Sequence, residues 1–277
     1  MEDNLEITDE HACKWTKGRI ILYKYQGAWK IKGFHERIIL AEQNFKAQPD
    51  DVFLCSFPKT GTTWLKSLAF TIATREKFDA SSSPLLTTFP HECVPYLEMD
   101  FGLPKHGPRI PLMGTHLPYN YLPKSVLSSD CKMEAFDEFC EGITGSGSYW
   151  DHILGYWQAS HDNGRKILFL KYEDIKQNTA GSVKRLAEFM GYPFSIVEEK
   201  AGVIENIIKL CSFENLSNLE VNKSGSSRPI PSVTIENRSL FRKGKVGDSK
   251  HYLTEEMKEK IDKLMDEKLG HTGLLQK

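Results

Sequence analysis

The segment spanning residues 51–75 constrains the fold of this 277-residue chain more than any other. It opens with the apolar run DVFLCS at 51–56, which predicts a short buried strand. Pro58 and Gly61 then predict a tight turn. Beyond the turn, apolar residues share one helical stripe, which consists of Leu65, Leu68, Ala69, Ile72 and Ala73. Strand, glycine turn and helix in this order form the first half of a βαβ unit.

The rest of the chain extends this alternation of strands and helices. Short apolar runs at 111–114 and 166–171 predict two more strands. Helical spacing of apolar residues predicts helices near 34–45, 136–143, 150–157, 179–190, 195–210 and 254–269. Residues 222–250 are rich in Ser, Pro, Gly and Lys, which is typical of a long loop. Apolar strands separated by helices favour an α/β fold with a central parallel sheet and helices on both faces.

Charge and composition exclude several classes of function. Lys and Arg number 36 and Asp and Glu 37, so the net charge of −1 favours neither a nucleic-acid nor a membrane partner. No apolar run approaches the roughly 18 residues that span a bilayer, and the acidic start of the chain does not resemble a signal peptide. The six cysteines form no CxxC pair and show no metal-ligand spacing. They predict reduced thiols, a cytoplasmic location and no metal site.

The glycine turn carries the strongest chemical signal. Its sequence, FPKTGTTW at 57–64, lies where backbone N–H groups and a helix N-terminus converge on one point, a geometry that binds phosphate. Gly61 lets the backbone close in, and Lys59 adds a positive charge. Thr62 and Thr63 offer hydroxyl donors. The Walker A pattern GxxxxGK[ST] is absent, which argues against ordinary handling of a magnesium nucleotide. The alternative is a plain glycine turn with a solvated lysine.

Four further features are candidates for ligand contacts. Trp64 opens the helix beside the turn and can stack on a base or pack in the core. His116 follows a predicted strand, where parallel sheets collect catalytic groups, and its imidazole can take a proton from a hydroxyl; a structural role is the alternative. The basic loop FRKGKVGD at 241–248 can form an anion-binding nest or remain solvated. Tyr172 follows the 166–171 strand and can bond a ligand or pack.

Together these features resemble the cytosolic sulfotransferases. The motifs, in order, are PKTGTTW at 58–64, THLP at 115–118, KYED at 171–174 and FRKGKVGD at 241–248. The likeness is greatest to the plant branch that sulfates flavonols, steroids and similar hydroxylated molecules. It implies a sulfotransferase fold in a single domain over residues 1–277, with about 1–20 as an N-terminal tail.

The resemblance implies a co-substrate, 3′-phosphoadenosine 5′-phosphosulfate (PAPS), and a set of residues that bind it. The loop residues would hold the 5′-phosphosulfate and stack adenine, and they are Lys59, Thr60, Gly61, Thr62, Thr63 and Trp64. Phe213 would lie on the other face of adenine, and Tyr172 would contact the adenine region. The 3′-phosphate would be held by Arg242, Lys243 and Gly244.

The resemblance also implies the catalytic roles and the acceptor. His116 would act as the general base on the hydroxyl of a small acceptor. Lys59 would neutralise the bridging oxygen as the nucleotide leaves. Positioning and charge stabilisation do most of the work in such transfers, and no metal is implied.

One departure from the family begins after Lys132. In the family a strand and a helix follow, with an Arg-x-Pro-Lys-Asp motif and a later serine, and both the arginine and the serine bind the 3′-phosphate. Here Lys132 runs directly into MEAF at 133–136, which resembles family sequence from beyond that segment. No arginine occurs between Arg109 and Arg165. A missing strand-helix segment would leave a gap in the sheet and empty half of the 3′-phosphate site.

Three functions therefore compete. The leading one is a PAPS-dependent sulfotransferase, and the second is a catalytically impaired or inactive splice or gene-model variant that keeps part of the nucleotide site. The third is a P-loop kinase for a small molecule, against which the missing Walker A lysine counts. The acceptor cannot be named, because loops near 79–111 and 222–240 would set its specificity without a readable code.

The oligomeric state follows from a short C-terminal segment. Residues 250–259 resemble the dimer motif of the family, with Glu255 where the family has valine. A charge is costly to bury at an apolar contact. We therefore expect a monomer or a weak homodimer.

Overall fold

The computed structural model describes residues 12–15, 20–25, 28–100, 110–129, 132–137, 148–230, 233–247 and 253–275. Within these ranges the strands are β1 (Ala12–Trp15), β2 (Ile20–Tyr25), β3 (Ala28–Ile31), β4 (Val52–Ser56), β5 (Leu112–Thr115), β6 (Lys132–Asp137), β7 (Ile167–Lys171), β8 (Ser226–Ile230) and β9 (Val233–Glu236). The helices are α1 (Lys32–Asn44), α2 (Thr62–Thr74), α3 (Pro90–Cys93), α4 (Leu97–Asp100), α5 (Lys124–Ser128), α6 (Tyr149–Asp162), α7 (Tyr172–Gln177), α8 (Thr179–Met190), α9 (Ile196–Lys200), α10 (Val203–Leu210), α11 (Phe213–Asn218), α12 (Glu220–Ser224) and α13 (Glu255–Leu269).

A four-stranded parallel sheet in the order β5-β4-β6-β7 forms the centre of the molecule. Val52 of β4 lies opposite Leu112 of β5 and, on its other side, opposite Lys132 of β6. Asp137, the last residue of β6, lies opposite Lys171 of β7. Because all four strands run in the same direction, their carboxyl ends meet at one edge of the sheet. The predicted α/β fold with a central parallel sheet is confirmed.

Strand β6 corrects the expectation of a gap in this sheet. Lys132–Asp137 fills the position between β4 and β7 and pairs with both strands. An empty position there would leave rows of buried N–H and C=O groups without partners, which is why an available segment takes it. The helix predicted near 136–143 is therefore wrong at Phe136, which lies in the strand. The remainder of that predicted helix, at 138–143, lies outside the described residues.

The side chains of β4 alternate between two hydrophobic cores. Val52 and Leu54 belong to the core under α2, α7, α8 and α10. Phe53 and Cys55 belong to the core under α1, α5 and α6. All four are at most 1% exposed. Helices thus cover both faces of the sheet, as an apolar parallel strand requires.

Two antiparallel sheets differ from what the sequence suggested. Strand β1 pairs with β2, so residues 12–15 of the expected tail lie in a sheet, while residues 1–11 are outside the described ranges. A hairpin of β8 and β9, preceded by α12, occupies part of the predicted 222–250 loop. Backbone groups in such a segment need partners, and a hairpin supplies them locally.

The predicted helices mostly occur where apolar spacing placed them. Besides 136–143, the exception is 195–210, which forms the two helices α9 and α10, separated at Gly202 with a left-handed φ of 72°. Helix α13 begins as predicted after Thr254, whose hydroxyl accepts the Met257 N–H. In the part of the chain that the structure describes, no helix has both the length and the apolar character to cross a membrane.

Candidate active site

The turn between β4 and α2 is shaped for an anion. Lys59 and Gly61 both adopt left-handed backbone conformations, with φ of 74° and 103°. Alternation of this kind turns successive N–H groups toward one point, which is an anion-binding nest. The N–H groups in the first turn of any helix lack partners within that helix. Gly61 directly precedes α2 and has no side chain that could cap these groups. The positive end of the helix dipole adds to the attraction for negative charge.

The threonine hydroxyls of this turn hold its shape. Thr60 Oγ1 donates to the Phe57 carbonyl at 2.7 Å, and Thr62 Oγ1 lies 2.7 Å from Ser56 Oγ. Thr63 Oγ1 lies 3.3 Å from His91 Nε2. The sequence assigned the Thr62 and Thr63 hydroxyls to the anion, whereas here they bond to protein groups. Either hydroxyl of the Thr62–Ser56 pair can be the donor, so Thr62 can still donate to an anion beside the backbone N–H groups of the turn.

The 241–244 loop lies beside this turn, as the two motifs require. Lys59 Nζ donates to the Ser239 carbonyl at 2.7 Å. Partial loss of hydration lowers the pKa of Lys59, and the nearby charge of Arg242 lowers it further. The two cations thus share one location, where an anionic ligand would relieve their repulsion. Lys243, the next residue, is exposed at the same loop.

Gly244 brings Phe213 into the same region. Its φ of 61° is left-handed, and a Cβ at this position would lie 2.6 Å from Cδ2 of the Phe213 ring. The Phe213 ring also lies 6.3 Å from that of Phe241, centroid to centroid. The close approach of backbone to ring fixes Phe213 against the basic loop and requires glycine at 244.

Two aromatic residues of the predicted set pack against each other at the start of α2. The rings of Trp64 and Tyr172 lie 5.7 Å apart at an interplanar angle of 72°. Thr71 Oγ1 of the same helix lies 3.4 Å from Cys211 Sγ, which ties α2 to the segment that carries Phe213. The structure thus places the three aromatic residues predicted to bind adenine on α2 or on elements near it, and they are Trp64, Tyr172 and Phe213. The Tyr172 side chain is largely buried, at 7% exposed.

His116 lies at the same edge, just after β5. Its Nδ1 is 2.6 Å from the Ser56 carbonyl, and its backbone N–H donates to Glu98 Oε1 at 2.8 Å. A carbonyl oxygen only accepts, so the proton must be on Nδ1. In the neutral imidazole this leaves the lone pair of Nε2 as the basic site.

The pKa of His116 sets the charge of its ring in the ligand-free protein. Burial lowers this pKa to about 4, the bond to Ser56 opposes the shift, and the charge of Lys66 contributes to it. The imidazole is therefore neutral near pH 7 and able to accept a proton. The predicted location of His116 at a strand end, beside the phosphate loop, agrees with this geometry.

Sequence reasoning missed a cluster of polar side chains behind His116. The cluster comprises Lys66, His91, Tyr96 and Glu98. Lys66 is fully buried in α2, and Glu98 is 3% exposed. The sequence did offer one signal. Lys66 lies within the largely apolar stretch WLKSLAF at 64–70, whereas a lysine of a surface helix normally lies among other polar residues on the solvent-facing side.

The comparisons with known proteins place the chain in a family. A model of the sulfotransferase domain matches residues 49–133 and 134–273. The chain therefore belongs to the sulfotransferase family, and it is a sulfotransferase enzyme. The two matched pieces meet between Met133 and Glu134, next to the position where the sequence places the missing segment.

Curated relatives agree with the family match. The chain is 53% identical over 312 residues to flavonol 4′-sulfotransferase of Flaveria chlorifolia, covering 100% of this chain and 97% of the relative. It is 45% identical to cytosolic sulfotransferase 17 of Arabidopsis thaliana, over 91% of this chain and 84% of the relative. The 312 aligned positions exceed the 277 residues of this chain by 35, which fits an internal segment absent here.

Solved structures share the fold. A putative steroid sulphotransferase from Arabidopsis thaliana superposes with a TM-score of 0.70 at 32% identity, covering 96% of this chain and 92% of the other. A mouse sulfotransferase complexed with PAP superposes with a TM-score of 0.66 at 24% identity, covering 90% and 94%. The second likeness concerns the fold alone. Both indicate that the β5-β4-β6-β7 sheet and its helices follow the sulfotransferase architecture.

The residues gathered here fit an anionic nucleotide. The nest at 59–61 and the cations Lys59 and Arg242 suit phosphate groups, and the Phe213 ring lies against the backbone of Gly244 in the same basic loop. Across the described ranges no group of three or more His, Cys, Asp or Glu side chains is arranged to hold a metal ion.

Proposed function

We propose that this sulfotransferase uses PAPS as its sulfuryl donor and a hydroxyl of a small flavonoid-like molecule as its acceptor. The observation that carries the proposal is the hydrogen bond from His116 Nδ1 to the Ser56 carbonyl. This bond places the ring proton on Nδ1 and leaves the lone pair of Nε2 as the proton acceptor. His116 lies at the sheet edge that also ends in the 59–61 nest. A base and an anion site on adjacent strand ends are what hydroxyl-to-sulfur transfer requires.

The residues of the chain take the following roles in this proposal. When bound, PAPS supplies an electrophilic sulfuryl group and a phosphate leaving group. The nest and the first turn of α2 hold the 5′ end, and Lys59 neutralises charge on the leaving oxygen. His116 accepts the acceptor's proton at Nε2. Thr60, Gly61, Thr62 and Thr63 position the backbone donors.

The nucleoside end would be bound by the aromatic residues and the basic loop. Trp64 and Phe213 would stack adenine, and Tyr172 would contact its edge. Arg242, Lys243 and the Gly244 N–H would hold the 3′-phosphate, because hydrogen bonds to charged groups are the stronger class. This assignment is supported by the position of Arg242 near Lys59 and by the contact of Gly244 with Phe213.

The acceptor class and the cellular location are proposed from the relatives. Two relatives 53% identical to this chain are named flavonol sulfotransferases, which favours a polyhydroxylated aromatic acceptor. Others are named cytosolic sulfotransferases, which favours a cytoplasmic location. We propose no nucleic-acid or membrane partner. Nothing in the relatives supports the alternative of an inactive variant.

Nucleotide specificity can be measured by thermal unfolding. We expect PAP, the desulfonated donor, to raise the melting temperature, and ATP with Mg²⁺ to leave it unchanged. A ligand at 100 times its Kd stabilises the folded state by about 2.7 kcal/mol. The matched control is Lys59→Ala, which should reduce the PAP shift. Stabilisation by ATP with Mg²⁺ but not by PAP would favour the kinase alternative instead.

Two glycines of the basic loop provide a second prediction. Gly244→Ala should weaken PAP binding by about 1–3 kcal/mol, the range of one base–aromatic stacking contact, because the new Cβ displaces Phe213. Gly247→Ala is the matched control, since it has a similar φ of 77° but no atom within 4 Å of its Cβ position. Isothermal titration calorimetry measures both. Equal losses in the two variants would contradict a role for Phe213 in stacking.

The C-terminal segment provides a third prediction. The Glu255 side chain is 84% exposed and pairs with Lys258. We expect the unchanged chain to be a monomer or weak dimer, and Glu255→Val to strengthen dimerisation by removing the charge from an apolar contact. Glu256→Val, at the neighbouring exposed position, is the control. Sedimentation velocity measures the monomer–dimer equilibrium of each chain. A dimer of the unchanged chain that persists at nanomolar concentration would refute the prediction.

A further inference from the structure

A fully buried lysine lies directly behind the proposed base. Lys66 of α2 is 0% exposed, and its Nζ donates to the Val94 carbonyl at 2.8 Å. The ammonium also lies 3.1 Å from the centroid of the Tyr96 ring. Burying a charge is costly unless partners compensate it, so a lysine in such a location indicates a use for it.

Gly114 makes room for this lysine. A Cβ at position 114 would lie 2.3 Å from Lys66 Cε and 2.6 Å from Nζ. Gly114 is not among the glycines with a positive φ, so its backbone conformation does not demand glycine. A glycine inside a strand weakens that strand and marks a close approach of another group. Here the approaching group is Lys66, and Gly114 stands two residues before His116.

Tyr96 connects Lys66 to His116. Its ring lies 4.8 Å from the His116 ring at 46° and 5.1 Å from the His91 ring at 31°. The backbone of Tyr96 bridges to Gly114, and the Gly114 N–H donates to the Pro95 carbonyl at 2.8 Å. The Tyr96 ring therefore contacts both the Lys66 ammonium and the His116 imidazole.

Glu98 completes the connection through the backbone. Its Oε1 accepts the His116 N–H, while its Oε2 is buried without a hydrogen-bond partner. Burial raises the pKa of Glu98, and both the His116 N–H and the charge of Lys66 oppose that shift. The hydrogen bond from the His116 N–H favours the carboxylate form more strongly than the Lys66 ammonium does, and both act on this buried side chain.

We propose that Lys66, seated in the notch left by Gly114, is a positioning residue that holds Tyr96 and Glu98 in the arrangement that orients His116 for proton transfer. This inference rests on the proposed function of His116 as the base. Lys66 touches neither acceptor nor donor in this account. It acts through the Tyr96 ring and the Glu98 carboxylate.

The direction in which the charge of Lys66 changes the pKa of His116 can also be predicted. Among the described residues, the titratable groups close to His116 are Lys66 on α2, His91 on α3, Tyr96 before α4 and Glu98 on α4. Burial is the main cause of the low pKa of His116, and Lys66 lowers it further. Removing the ammonium removes a repulsion between two positive charges. This change stabilises imidazolium, so the pKa of His116 should rise.

The test is an NMR titration of the histidine rings in the ligand-free protein. Lys66→Met keeps an unbranched side chain, one atom shorter, and removes the charge. His116→Asn identifies the His116 signals. We expect the His116 pKa to rise in Lys66→Met and the acidic limb of kcat/KM to move to higher pH with it. Lys77→Met, which removes an exposed lysine just beyond α2, is the matched control and should shift neither.

A second variant covers the case in which Lys66→Met does not fold. Gly114→Ala retains every charge but forces the lysine out of its notch, so it should also raise the His116 pKa. If the folded variants leave the titration of His116 and the acidic limb unchanged, the inference is overturned, and a fall in kcat that is equal at every pH would indicate a structural role only. The titration needs no PAPS, so absence of sulfuryl transfer in the unchanged chain contradicts the proposed function without deciding the role of Lys66.

Discussion

Inserting the family's arginine- and serine-bearing segment after Lys132 is expected to strengthen PAP binding by roughly two to four orders of magnitude. A 3′-phosphate carries close to two negative charges, and here only Arg242, Lys243 and the Gly244 N–H are assigned to it. Each hydrogen bond to a charged group contributes about 1.5–3 kcal/mol. Two such bonds amount to about 3–6 kcal/mol, at 1.4 kcal/mol per tenfold change in Kd.

The sequence around the junction supports this expectation. Residues 133–164 contain no Lys or Arg, while Glu134, Asp137, Glu138 and Glu141 add negative charge. Strand β6 ends at Asp137, at the edge where the carboxyl ends of the strands meet. Strand β6 already closes the sheet, so the inserted chain should differ in nucleotide affinity rather than in sheet closure.

Calorimetric titration of both chains with PAP measures the difference. The matched control carries the same insertion with its arginine and serine replaced by alanine, which separates the added charge from the added length. Affinity should rise only in the insertion that keeps both side chains. Equal affinities for the unchanged and inserted chains would mean that other groups already hold the 3′-phosphate.

The second large effect concerns the proposed catalytic pair. His116→Ala should reduce turnover by roughly 10²–10⁴-fold, the usual contribution of a general base. Lys59→Ala should likewise remove most turnover, because it takes away the charge that neutralises the leaving oxygen. Both changes should leave the fold intact, since neither side chain belongs to the hydrophobic cores.

Steady-state kinetics at saturating donor, with circular dichroism to check folding, measure both variants. His161→Ala is the control, because that histidine is exposed near the end of α6 and bonds only the Trp157 carbonyl of its own helix. It should retain turnover within a small factor. A His116→Ala enzyme with near-normal turnover would remove His116 from the role of base.

Local sequence was enough to predict the phosphate loop and the strand-end position of His116. Both depend on residues that are adjacent in the chain. A glycine between an apolar strand and an apolar helical stripe predicts a tight turn, and Gly61 does adopt a left-handed conformation there. The family resemblance implied that the Arg242 loop and Lys59 bind one nucleotide, and the contact of Lys59 with Ser239 is consistent with that expectation.

Long-range features could not be predicted in the same way. The segment at 132–137 became a strand because β4 and β7 offered a vacant pairing position, and its own pattern gave no such indication. Lys66 is buried because Gly114, on a different element, leaves space for it. In both cases the deciding partner is distant in sequence, so spacing within one segment carries no information about it.

Transfer of a labelled sulfuryl group from PAPS to an acceptor hydroxyl is the reaction that the proposed function requires, and it can be followed directly. The purified chain is incubated with ³⁵S-labelled PAPS and a flavonol, at donor concentrations raised until the rate saturates. We expect a labelled flavonol sulfate ester and an equal amount of PAP, both abolished in His116→Ala. A folded chain that forms no labelled flavonol above the level of His116→Ala, at any donor concentration, would contradict the proposed function.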